Sequence, residues 1–187
     1  MSQPNTFRLY RLAQNNPPAL ADFTSKAQLQ IPCPIPDPDI RRRWTGLSLF
    51  ETEDQARSVA KRMPMLGSFI AALDLPMGAG GPVERTGWPG HFVLSGASGG
   101  TSDRDAAPPP PPEPTSGLQY EVWELQSCSM VTSYGSEDQA LSLVRRLLEA
   151  GWSADDLVLS ADDPDIEVAS LPPTLTGDAL AMRATTA

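Results

Sequence analysis

Residues 6–12 alternate, with Phe7, Leu9 and Arg11 on one side and Arg8, Tyr10 and Leu12 on the other. This period of two, in residues that suit a pleated surface, predicts a strand. Asn16-Pro17-Pro18 then supplies an N-cap with proline at the first helical position. Leu20, Phe23 and Ala27 follow at helical spacing, which predicts a short helix to Gln28. Residues 32–36 read as a loop, and Asp37-Pro38-Asp39 opens a brief helix that ends near Trp44, with Gly46 just beyond. Residues 47–50 form a second strand. Thr52-Glu53-Asp54-Gln55 is a capping box, and the helix it opens carries Ala56, Val59, Ala60 and Met63 on one face until Pro64 closes it. Strands over 68–75, 83–86 and 91–95, separated by Gly/Pro turns, complete an α+β module.

Beyond residue 117 the same grammar returns. Residues 120–125 and 130–134 read as a hairpin, and Ser136-Glu137-Asp138-Gln139 is a second capping box. Ala140, Leu143, Val144, Leu147 and Leu148 follow at helical spacing before Gly151. Strands over 157–160 and 166–170, around an acidic turn at 162–165, make the order ββαββ. Glu-Asp-Gln-Ala recurs in both halves, and the simple reading is that good N-caps resemble one another rather than that the chain is duplicated.

Between the halves lies Pro108 to Pro112 in a Gly/Ser/Ala setting, a composition that builds no packed core. It predicts an extended polyproline II spacer, with a docking site for a proline-recognising domain as the less favoured alternative. The expected organisation is an α+β module at 1–95 with a mixed or antiparallel sheet and short helices, a flexible Pro/Gly-rich linker at 96–117, an acidic ββαββ module at 118–175 and a tail at 176–187. Stability is then expected module by module, with proteolysis first in the linker.

Composition changes this picture only in places. The chain has 187 residues and a formal net charge of −9, but the charge is uneven: residues 1–98 carry about +2 and residues 99–187 about −11, counting Lys/Arg against Asp/Glu. So acidic a second half disfavours nucleic acid as a partner of the whole chain, and only the first half suits an anion. No apolar run reaches the length of a membrane span, and the start of the chain lacks the pattern of a secretory signal, so a cytoplasmic protein without membrane partners is expected. Cys33 and Cys128 belong to no metal or redox spacing, His91 is the one histidine, and neither Lys26 nor Lys61 sits in a P-loop. No metal is expected.

The remaining chemistry is sparse. Arg8, Arg11 and Arg85 offer bidentate forks for a phosphate or carboxylate, against the ordinary reading of surface arginine. Arg41, Arg42 and Arg43 suit the negative end of a helix dipole better than a nucleic acid. His91 after Gly-Trp-Pro-Gly is placed to exchange a proton or orient a hydroxyl, and Ser48 has no nucleophile elbow around it. Asp162, Asp163, Asp165 and Glu167 read as a solvated turn rather than a calcium loop, and Tyr120, Trp123 and Tyr134 as core rather than a stacking platform.

Phe7-Arg8-Leu9-Tyr10-Arg11, Asn16-Pro17-Pro18-Ala19-Leu20-Ala21-Asp22-Phe23, Trp44-Thr45-Gly46-Leu47-Ser48-Leu49-Phe50, Gln55-Ala56-Arg57, Glu84-Arg85-Thr86 and Gly90-His91 together resemble a bacterial module of unassigned activity. The order of an arginine-bearing strand, a strand with Gly-x-Ser and a later acidic residue also resembles compact ADP-ribosyltransferase folds. That second resemblance implies NAD as cofactor, with Arg8 and Arg11 toward its pyrophosphate and Ser48 toward the nicotinamide ribose. It further implies Glu84 as the polarising carboxylate and His91 as a neighbour. Tyr120-Glu121-Val122-Trp123-Glu124-Leu125 and Asp155-Asp156-Leu157-Val158-Leu159 resemble small bacterial accessory domains without an assigned activity. The leading expectation is a non-enzymatic binding or regulatory protein with a protein partner and no cofactor. NAD binding or ADP-ribosyl transfer is the alternative, and an antitoxin-like role for the acidic half, presenting its charge to a basic partner, is the third.

Overall fold

The computed structural model describes residues 6–76, 83–86, 88–95 and 117–187. It is an α+β fold with two antiparallel sheets and four short helices. In the first half, β1 (Thr6–Ala13), α1 (Pro38–Trp44), β2 (Gly46–Phe50), α2 (Glu53–Arg62), β3 (Phe69–Pro76), β4 (Val83–Arg85) and β5 (His91–Ser95) build a sheet in the order β3-β1-β2-β5-β4. In the second, β6 (Gln119–Glu124), β7 (Ser129–Tyr134), α3 (Glu137–Glu149), β8 (Leu157–Asp162), β9 (Leu175–Thr176) and α4 (Gly177–Thr186) build a sheet in the order β7-β6-β8-β9.

The capping chemistry appears as the sequence implies. Asp37 accepts from the backbone N–H groups of Asp39 and Ile40 at the start of α1, Thr52 from Gln55 at α2, and Ser136 from Gln139 at α3. Three expectations need correction. Residues 16–28 form only a 3-10 turn at Leu20–Phe23, because the Asp22 carboxylate accepts from the backbone N–H groups of Gln14 and Ala19, both at 2.8 Å, and folds the chain into a tight loop. The strand expected over 166–170 is absent: Val168–Ser170 is a 3-10 turn, and β9 takes the outer edge of β8 instead, pairing Leu175 with Leu159. The expected tail at 176–187 is helix α4, which buries Leu180 and Ala184 at a spacing of one turn. The proposed linker falls outside the described residues apart from Gly117.

The two sheets repeat one plan, which reverses the reading that the capping boxes recur by chance. In each half the first strand lies between the second and third and is antiparallel to both, and the capped helix joins the second strand to the third. The register agrees as well. Tyr10 sits opposite Phe50 and Ala72, and Tyr120 sits opposite Tyr134 and Ala161. A 3-10 turn precedes the third strand in both, at Pro64–Leu66 and at Ala154–Asp156.

The halves also share their interior. The β6–β8 sheet is buried on both faces, so its strands alternate between two cores rather than between core and water. Val122, Leu157 and Leu159 pack with α3, α4 and, from the first half, Ile35, Ile40 and Trp44. Trp123, Met130 and Val158 pack instead with Leu12, Phe50 and the Ala56, Val59 and Met63 row of α2. Trp44 meets Trp152 edge-on, with ring centroids 4.7 Å apart. Helix α1 lies along β7, an edge strand of its sheet, and covers it.

Sharing a core should make unfolding cooperative across the halves. Urea unfolding followed by tryptophan fluorescence and by circular dichroism is expected to give one coincident transition. Trp44→Ala should shift it by about 3–5 kcal/mol for both probes. Two separated transitions, with only one moved by the substitution, would establish independently folded modules.

Candidate functional site

The residues put forward from sequence are scattered across the first sheet and mostly engaged. Arg11 is 1% exposed. Its Nε donates to the Asp22 carbonyl, Nη1 to the Ser48 carbonyl at 2.9 Å and Nη2 to the Ser127 carbonyl at 2.6 Å, so the fork staples the β1–α1 connection, β2 and the β6–β7 turn together. Burial lowers its pKa. The Ser48 hydroxyl accepts from the backbone N–H of Met130 at 2.9 Å, which satisfies a donor of strand β7. Glu84 lies two strands from Ser48, in line with it through Val93, and pairs with Arg42 at 3.2 Å. Arg8 makes an exposed bidentate pair with Asp74, at 2.7 and 2.8 Å. Arg85 pairs with Glu51.

His91 is fully buried, with its ring set edge-on to Phe50, Trp88 and Trp123. Its Nδ1 lies 2.9 Å from the Thr86 hydroxyl, and Nε2 has no hydrogen-bond partner among the described residues. Burial, helped by the charges of Arg43 and Arg11, pulls its pKa down to about 3, so it stays neutral and serves as an aromatic core residue. Arg11 and Ser48 thus meet through a backbone carbonyl, while Glu84, His91 and Arg8 do not converge with them on one cavity.

A different set of residues lines a cavity of about 220 Å³ at the seam of the two halves. Gln55, Ser58 and Arg62 stand at helical spacing along α2, on a polar stripe turned toward the second half. Gly90 adopts φ 70° in the Trp88–Gly90 turn, where a β-carbon would strike the Gln55 side chain. Trp88 and Pro89 form one apolar wall, and Ile166 and Val168 of the loop after β8 form another. Asp162 and Asp163 close the polar end.

The cavity rests on a buried ionic cluster. Arg62 Nη1 donates to the Ala161 carbonyl at 2.9 Å and lies 3.3 Å from Glu121, while Nη2 lies 3.3 Å from Asp162. Glu121 also accepts from Trp123 Nε1 at 2.9 Å. Glu121 Oε1 and Arg62 Nε are buried without hydrogen-bond partners among the described residues. Burial pushes the Glu121 carboxyl up to about 7, against the pull of Arg62. The cavity lining therefore sets one cation, Arg62, against Asp162 and Asp163, an excess of acceptors that favours a ligand bringing N–H donors or positive charge.

A second buried pair crosses the seam. Lys26 lies 3.2 Å from Glu124 and 3.5 Å above the Trp44 ring, and burial lowers its pKa to about 8. Glu124 also accepts from the backbone N–H and hydroxyl of Ser127. The charge asymmetry of the sequence is thus partly answered within the chain, since cations of the first half meet carboxylates of the second. Arg62 and Glu121 escaped the sequence reading, although a signal existed: Glu121 is a charge between Tyr120, Val122 and Trp123, in a strand whose both faces are apolar.

Among the described residues, no group of three His, Cys, Asp or Glu side chains is placed to hold a metal, and no helix is long and apolar enough to cross a membrane. No protein-family model, curated protein or solved structure matches the chain.

Removing one partner of the buried cluster leaves an uncompensated charge. Arg62→Ala is expected to cost about 3–5 kcal/mol in urea unfolding, with much of this recovered in Arg62→Met/Glu121→Leu. A loss below about 1 kcal/mol would assign the cluster the small weight of an exposed pair. His91 makes a separate prediction. Its folded pKa of about 3 lies below its ordinary 6.5, so the unfolded chain binds the extra proton between these values and stability falls as pH drops from 6.5 toward 3. His91→Phe should flatten that part of the stability profile, while an unchanged slope would remove His91 as its cause.

Proposed function

We propose that this chain is a non-enzymatic cytoplasmic binding protein that takes a group of a partner into the seam cavity. The observation that carries the reading is the cavity itself, built by both halves over the Arg62–Glu121–Asp162 cluster. Its apolar walls and acceptor-rich end suit an apolar body with a cationic or N–H-bearing tip, such as the side chain of a basic residue. Reaction chemistry has less support. Ser48, Arg11 and His91 spend their reactive atoms on the interior, and Glu84 is held by Arg42. The unpaired cysteines Cys33 and Cys128 suit a reducing compartment.

Amide NMR spectra of the full chain, recorded with benzylammonium, benzoate or NAD at millimolar concentration, test the reading. Benzylammonium is expected to shift Gln55, Ser58, Asp163 and the Trp88 indole, with benzoate weaker and NAD leaving Arg11, Ser48 and Glu84 unmoved. The reading falls if benzylammonium leaves the cavity signals in place. NAD shifts clustered on Arg11, Ser48 and Glu84, with turnover lost in Glu84→Gln, would replace it with nucleotide chemistry.

A further inference from the structure

The repeated plan allows each surface of one half to be compared with its counterpart in the other. Register places Ile70 of β3 where Leu159 of β8 lies, because Ile70 faces Leu12 and Leu159 faces Val122 at equivalent positions of the central strands. The aligned capping boxes place Arg57, Ala60 and Lys61 of α2 where Leu141, Val144 and Arg145 of α3 lie.

In the second half this surface is occupied by the chain's own last segment. Strand β9 pairs with the outer edge of β8 at Val158 and Leu159. Helix α4 then seats Leu180 and Ala184 in the core that holds Leu141, Val144, Leu157 and Leu159. Arg145 Nε donates to the Ala184 carbonyl at 2.9 Å, and Arg183 pairs with Glu137. As a result Leu141 is 1% and Val144 0% exposed.

In the first half nothing among the described residues fills the counterpart. Among the described residues no strand pairs with the outer edge of β3. Between α2 and β3 lies a groove of about 220 Å³ lined by Arg57, Ala60, Lys61, Ser68 and Ile70. Phe69, the first residue of β3, is 41% exposed and Met65, in the turn before the strand, is 38% exposed, and the only charge of β3 is Asp74.

We propose that this groove and the β3 edge dock an acidic strand–helix segment of a partner protein, in the manner in which β9 and α4 dock on the second half. The extended part adds to β3 at Phe69–Ile70, and the helix lays small apolar side chains on Ala60 and Ile70 with its carboxylates toward Arg57 and Lys61. Charge decides the occupant. The second half offers Leu141 and Arg145, with Leu141 meeting an apolar helix face, whereas the first offers Arg57 and Lys61, two exposed cations of which Arg57 is also met by Glu53. A second copy of the chain is a poor fit, because its α4 buries Leu180 and Ala184 at home and carries an apolar face there. This surface lies apart from the seam cavity, so its test is independent of that reading.

Two synthetic peptides of residues 173–187 serve as probes, one native and one carrying Leu180→Glu with Ala181 and Ala184 kept as its small apolar face, each titrated into the full chain by calorimetry and amide NMR. The acidic peptide is expected to bind at least tenfold more tightly than the native one, to shift residues of β3 together with Arg57 and Lys61, and to weaken as salt rises. Arg57→Glu/Lys61→Glu, both at exposed positions, should abolish that binding while the amide spectrum remains that of the folded chain. Equal affinity for both peptides, shifts confined to the seam cavity, or no binding by either would overturn the proposal. So would self-association of the chain in light scattering that Arg57→Glu/Lys61→Glu leaves intact and a β3-edge substitution, Ile70→Pro, removes.

Discussion

The structure depends on cations of the first half finding acceptors buried in the second. Arg11 reaches the Ser127 carbonyl, Lys26 reaches Glu124, and Arg62 reaches Glu121 and Asp162. Each of these groups is costly to bury alone, because a charge removed from water recovers its solvation only from close, well-directed partners. Their geometry therefore fixes how the halves meet more sharply than apolar contact does. Trp123, Met130 and Val158 would tolerate many apolar neighbours, whereas Glu121 accepts few arrangements beside Arg62 and the Trp123 indole.

The candidate cavity follows from that junction. Helix α2 buries Ala56, Val59 and Met63 between the sheets, which leaves Gln55, Ser58 and Arg62 pointing along the seam. Opposite them, the loop after β8 leaves Ile166 and Val168 partly exposed above the ionic cluster. The pocket sets apolar walls beside Arg62, Asp162 and Asp163, and the cluster below it holds Glu121 Oε1 and Arg62 Nε buried without hydrogen-bond partners among the described residues, with burial raising the Glu121 carboxyl. The repeat also differs between the halves: one plan is closed by its own strand and helix, while among the described residues the other presents the same surface with Arg57 in place of Leu141 and Ala60 in place of Val144.

Much of the local architecture was legible because its causes are local. The capping box at Thr52, the N-caps at Ser136 and Asp37, and the alternation in β1 each depend on residues within a few positions. The candidate site was not legible, for Arg62 and Glu121 lie 59 residues apart and neither has a local pattern that names the other. The sequence resemblance directed attention to Arg11, Ser48, Glu84 and His91. A residue type in a suitable order does not reveal whether its reactive atom faces a cavity or another backbone.

What the sequence by itself determined is the α+β class, the starts of α1, α2 and α3, the alternation of β1 and the imbalance of charge between the halves, since these need only neighbour-range sterics, capping and counting. Tertiary structure decided that Gly177–Thr186 forms a helix, that His91 is a neutral core ring, and that the two capped helices mark one repeated plan. It also decided that the acidic half meets cations of its own chain. The reason is physical: burial and pairing of a side chain are set by what packs across from it, and in this fold the partner comes from the other half.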